Sequence, residues 1–98
     1  MSSSNIDLRV SRIIDVKVTD DTLSVELEDG RTISVPLAWY PRLRYGAADE
    51  RLSWHLIGGG EGIHWPALDE DVSLEDLILG RRSGESLSSL KQWREKHV

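Results

Sequence analysis

Ninety-eight residues make one domain with a core of its own, and no more. With no cysteine, the chain cannot form disulfides, use a thiol nucleophile or build a cysteine-based zinc site. The net charge of −5 is unevenly placed: residues 1–79 hold seven Lys/Arg against fifteen Asp/Glu (−8), and residues 80–98 hold five against two (+3). An acidic body repels nucleic acid, whose affinity comes largely from phosphate neutralisation. No apolar run approaches the ~20 residues of a membrane span, and the first residues lack the apolar stretch of a signal peptide. The expected location is the cytoplasm, with no membrane partner.

In chain order, residues 1–7 read as a frayed or disordered end. From Leu8 the even positions turn apolar (Leu8, Val10, Ile14, Val16, Val18), the period-2 mark of a half-buried strand. A second strand places Leu23, Val25 and Leu27 inward, and a third places Ile33, Val35 and Leu37 inward. Paired residues must point to one face, so parity constrains the turns. Val18 and Leu23 require an even loop around Asp20-Asp21. Leu27 and Ile33 require an odd one, a three-residue Glu28-Asp29-Gly30 loop with Gly30 left-handed. The expectation is a three-stranded antiparallel meander.

Pro36 limits the pairing of the third strand, and Pro41 leads into short helical stretches, one of them Ala47–Leu52. Next comes Trp54–Pro66 (W-H-L-I-G-G-G-E-G-I-H-W-P), which reads nearly the same in both directions. Folded back at Gly59-Gly60, it becomes a hairpin in which Trp54 meets Trp65, His55 meets His64 and Leu56 meets Ile63. Trp54, Leu56, Ile63 and Trp65 then share one face and the two histidines the other. After Pro66, Ser73 and Asp76 form an S-x-x-D capping box, Val72 can staple to Leu77, and Gly80 stops a short helix. From Ser86, Leu87, Leu90 and Trp93 form a narrow apolar stripe on a last helix, beside Lys91, Arg94 and Lys96. The whole reads as an α+β fold: a meander plus a short hairpin in one sheet, with short helices after the third strand and at the C-terminus. Residues 8–85 form the domain and 86–98 an amphipathic helix.

The chemistry-bearing patterns are sparse. His55, His64 and nearby Glu61 are the candidate metal or acid–base residues, with Asp69 a conceivable extra ligand. A site needs a third ligand and a supporting shell, and no spacing rule supplies one. Gly58–Gly62 lacks the Lys-Ser/Thr and the following helix of a phosphate loop. Asp69, Glu70 and Asp71, with Glu75 and Asp76, lack the calcium-loop pattern and read as an acidic approach to a helix N-terminus. Serines 83, 86, 88 and 89 have no nucleophile-elbow glycines. Two helices, one very short, are too few for a helix-turn-helix.

Three segments carry a resemblance: Asp29–Leu43 (D-G-R-T-I-S-V-P-L-A-W-Y-P-R-L), Trp54–Pro66, and Leu68–Gly80 (L-D-E-D-V-S-L-E-D-L-I-L-G). Across roughly Val10 to Ser86 the chain resembles the small bacterial family catalogued as domain of unknown function 2442. The resemblance implies an α+β domain with an antiparallel sheet like the N-terminal domain of a Nitrosomonas protein fused to a helix-turn-helix. It also implies genes beside a second small protein, in pairs resembling toxin–antitoxin modules. It carries over no catalytic residue.

The expected function is that of a non-catalytic interaction or regulatory domain without cofactors, with antitoxin-like use as the form the resemblance implies. Its partner is another small protein or a second copy, as a homodimer, met through Leu87, Leu90, Trp93 and Arg94. The alternatives are a small-ligand or metal-dependent enzyme using His55, His64 and Glu61, and a DNA-binding regulator using the basic C-terminal segment. Gly30, Trp54, Gly59, Gly60, Trp65, Pro66, Ser73 and Gly80 are the expected structural residues.

Overall fold

The structure, a computed structural model, describes residues 11–97. Strands β1 (Ile13–Val18), β2 (Thr22–Leu27) and β3 (Thr32–Pro36) form an antiparallel meander. The parity argument holds at both turns. Val18 pairs with Leu23 across four residues, and the Leu27 N–H reaches the Arg31 carbonyl at 2.8 Å across Glu28-Asp29-Gly30. Gly30 has φ +96°, where a side chain would be strained. Leu23, Val25, Leu27 and Val35 are buried, and Val18 and Ile33 pack against them half-buried.

Strand β1 departs from the expected pattern. Its pairing with β2 shifts between Ile13 and Asp15, a bulge that reverses which isoleucine faces in. Ile13 is 1% exposed and Ile14 58% exposed, so Ile14 is corrected from the core to the surface. The Asp15 carboxylate accepts from the Val16 N–H at 2.9 Å inside this bulge. Leu8 and Val10 lie outside the described residues.

After a 3-10 turn at Leu37–Trp39 come α1 (Pro41–Tyr45) and α2 (Ala48–Leu52). Arg51 ties them together, donating to the Leu43 and Arg44 carbonyls at the end of α1. The hairpin follows as β4 (His55–Ile57) and β5 (Gly62–Trp65), in the register the near-palindrome predicts: His55 opposite His64, Leu56 opposite Ile63. Ile63 and Trp65 are fully buried, and Trp54 and Leu56 pack against the core. The buried Trp65 indole donates to the Arg51 carbonyl at 3.0 Å, so its polar edge is satisfied.

The hairpin does not join the meander. It forms a second three-stranded sheet with β6 (Glu70–Ser73), so the expectation of one sheet is corrected to two. Pro66 starts a 3-10 turn at Pro66–Leu68, and Asp69 follows in the left-handed conformation (φ 51°). Residues 70–73 are therefore a strand and not merely an acidic approach to a helix. The sheets meet where Ile13 N–H donates to the Gly60 carbonyl at 2.9 Å. One apolar cluster lies between them, with Val25 and Leu27 from the first sheet and Ile63, Trp65 and Val72 from the second.

Helix α3 (Leu74–Leu79) begins and ends as its residues dictate. The Ser73 hydroxyl accepts from Asp76 N–H at 3.0 Å. Gly80 (φ 74°) closes it, with the Arg81 N–H returning to the Asp76 carbonyl. Val72 and Leu77, the expected staple pair, are both buried. Helix α4 (Leu87–His97) is the last element among the described residues. No helix among the described residues is long and apolar enough to cross a membrane.

Candidate functional site

The residues expected to carry chemistry do not converge. His55 and His64 are direct cross-strand neighbours, and His64 Nδ1 is hydrogen-bonded to the carboxylate of Asp71, next in the same row on β6. Glu61 sits in the loop, its carboxylate 2.9 Å from where a Cβ on Gly58 would stand, and Asp69 faces Arg42 instead. No three His, Asp or Glu side chains among the described residues come together as a metal would require.

What the fold assembles is a strap. Pro41 opens α1 at its first position, where its missing N–H costs nothing, and sets Arg42 on the helix. The Arg42 guanidinium meets Glu85 side-on, Nε to Oε1 and Nη2 to Oε2, both at 2.8 Å. Such a forked pair is among the stronger polar contacts available to a protein. The Glu85 side chain is only 7% exposed, and the Ser89 hydroxyl donates to it from the first turn of α4 at 2.7 Å. Arg42 holds the Glu85 carboxyl below the usual carboxylate range, chiefly through the forked hydrogen bonds. Arg42 Nη1 donates to the Asp69 carbonyl (2.9 Å) and its carboxylate (3.4 Å), fixing the left-handed residue before β6.

The segment between α3 and α4 is strapped at further points. The Tyr40 hydroxyl donates to the Arg81 carbonyl (3.1 Å), Ser83 N–H donates to the Trp39 carbonyl (3.0 Å), and the Arg82 guanidinium lies 4.8 Å from the Trp39 ring centre. Helix α4 is then held by side chains rather than by a buried seam. Trp93 packs on the core and under Arg42 (5.3 Å). His97 stacks on Trp93 and meets Glu50 at 3.1 Å, and Arg94 stacks on Tyr45 at 4.1 Å. No residue of α4 is fully buried.

The expected interface residues therefore divide. Trp93 turns toward its own domain, Leu90 is half-buried, and Leu87 remains 86% exposed. Leu87 and Leu90 line an open groove of about 470 Å³ with Tyr45, Lys91, Arg94 and Glu95. Sequence reading placed Leu87, Leu90, Trp93 and Arg94 on this helix. It missed Arg42, Tyr45 and Glu85. The pairing of Arg42 with Glu85 spans 43 positions, and no local spacing rule reaches that far. The Pro41-Arg42 dipeptide and the switch to basic charge after Gly80 were the available signals.

Two antiparallel sheets around one core, with a C-terminal helix strapped over α1 and α2, define a small α+β fold. The chain belongs to the family described as "Protein of unknown function (DUF2442)", which it matches over residues 13–83. That match ends within the strap, before α4. The chain is similar to the crystal structure of a protein of unknown function from Rhodospirillum rubrum, with 26% identity and a TM-score of 0.67, covering 79% of this chain and 95% of that one. It is also similar to the solution structure of an uncharacterized protein from Chromobacterium violaceum. There the identity is 18% and the TM-score 0.65, over 99% of this chain and 90% of that one, a likeness of fold alone. No curated protein matches the chain.

Proposed function

We propose that this protein is a non-catalytic interaction domain that uses the outer face of α4 to bind a second copy of itself. The supporting observation is Leu87, 86% exposed at the rim of a groove whose other apolar members are Leu90 and Tyr45. An isolated exposed leucine needs no explanation, but three apolar residues around one concave site mark a contact. Charge favours a second copy. Lys91, Arg94 and Lys96 stand on a basic segment, and the rest of the chain is strongly acidic, so each copy offers the other's complement. Regulatory use as the antitoxin-like member of a two-gene pair is a finer form of this reading and rests on the family resemblance. Co-purification with the product of a neighbouring gene is its own test.

Light scattering across a concentration series tests the main reading. The wild type should move from monomer to dimer, and Leu87→Asp should remain monomeric with an unchanged melting temperature. A wild type that stays monomeric up to millimolar concentration would refute the self-contact.

A further inference from the structure

The clamp that holds the arm stands beside a second carboxyl group. Glu70 is the first residue of β6, paired with the buried Trp65. One of its oxygens, Oε1, accepts from the Asp71 N–H at 3.2 Å. The other, Oε2, is sealed from solvent and has no partner. The charges of Arg42 from α1, Glu85 from the segment before α4 and Asp71 on its own strand act on this carboxyl, and its own charge acts on the phenol of Tyr40. Asp69, next in the chain, is taken up by Arg42.

Three carboxyl groups thus surround one guanidinium: Glu85 and Asp69 hold it, and Glu70 does not. The four side-chain hydrogen bonds of Arg42 go to Glu85 and Asp69 and none to Glu70. A guanidinium has five N–H groups, so little donor capacity remains. A sealed, unpartnered carboxyl oxygen is tolerable on a neutral acid and costly on an anion. Burial accordingly pushes the Glu70 carboxyl up to about 7, against the pull of Asp71 N–H and Arg42.

We propose that Glu70 is a proton-controlled release for the C-terminal arm: neutral Glu70 leaves Arg42 to Glu85, and ionised Glu70 displaces that pair. On ionisation the proton leaves to solvent, and the new anion repels Glu85 while drawing Arg42 toward itself. Helix α4 has no fully buried residue, so loosening the clamp leaves it only the contacts of Trp93, Arg94 and His97, and its order falls while both sheets stay folded. The release concerns how the arm is attached, and it stands whether or not the outer face of α4 binds a second copy.

The test is nuclear magnetic resonance on the full chain between pH 5.5 and 8.5, following the backbone order of residues 87–97 and the Trp93 indole signal. The arm also meets Glu50 through His97, so His97→Gln is the control for that contact. The wild type and His97→Gln should both lose arm order as pH rises, with one shared midpoint. Glu70→Gln, which keeps the shape without the charge, should stay ordered throughout, and Glu85→Gln should be loose at every pH. A transition that persists in Glu70→Gln, or that only His97→Gln removes, would overturn the assignment. So would a wild-type arm equally ordered at both ends of the range.

Discussion

Arg42 on α1 and Glu85 before α4 form a two-pronged ion pair, 2.8 Å at both prongs, that closes the C-terminal arm onto the domain. Hydrogen bonds to charged groups contribute about 1.5–3 kcal/mol when one partner is removed. Glu85→Ala should weaken arm docking by about that amount, and Arg42→Ala should do the same while also freeing Asp69. In the double variant the two losses should not add, because each removes the same contact. Hydrogen exchange of α4 amides measures this; fully additive losses would show that the pair is not coupled.

Gly60, in the loop between β4 and β5, lies against the start of β1. It has φ +119°, and a Cβ there would stand 2.7 Å from the Ile13 carbonyl oxygen and 2.8 Å from the Arg12 Cβ. Strain and clash act together, so Gly60→Ala should cost about 1–3 kcal/mol. Gly30 also has positive φ but has open space around it, so Gly30→Ala should cost less, about 1 kcal/mol. Denaturant midpoints of the two variants give the comparison, and equal losses would show that the close approach to β1 is not the reason for Gly60.

The folding free energy should depend on pH through Glu70 with a definite sign. Its carboxyl is raised from 4.5 to about 7 in the folded state, so between those values the native protein binds more protons than the unfolded one. Stability therefore falls as pH rises from about 4.5 to 7 and is flat beyond, as far as this group is concerned. Glu50 and Glu85 are shifted the other way, Glu50 mainly by the Ala47 N–H and Glu85 mainly by Arg42. Their stabilisation is lost as pH falls below the ordinary carboxylate range. Melting temperatures should peak in mildly acidic solution, and Glu70→Gln should remove the decline on the neutral side. A Glu70→Gln protein that declines as steeply as the wild type would exclude this carboxyl as the cause.

The regular elements were legible because register is an arithmetic constraint. Opposite parity at Val18 and Leu23, equal parity at Leu27 and Ile33, and the mirrored words around Gly59-Gly60 each fix a turn without outside information. The bulge in β1 was not legible. Ile13 and Ile14 are equally apolar, and the choice between them is made by the Asp15 side chain and by Gly60 reaching Ile13. Strand β6 was hidden for a related reason: Glu70-Asp71-Val72-Ser73 has poor strand propensity, and its pairing with the edge of the hairpin overrides that. Within the site, the apolar stripe of α4 could be read from its spacing. The split in that stripe, with Trp93 turned inward and Leu87 outward, is set by Arg42, Tyr45 and Glu50, which lie far away in sequence.

Removing residues 86–98 tests most directly whether the arm is an appendage that makes contacts or a part of the core. The family match stops at residue 83, so the two sheets should stand without the arm. The truncated protein should keep its sheet circular dichroism, melt cooperatively and sediment as a monomer at concentrations where the full chain is proposed to dimerise. A truncated protein that is unfolded would place α4 in the core, and one that is folded and still dimeric would move the contact away from Leu87, Leu90 and Arg94.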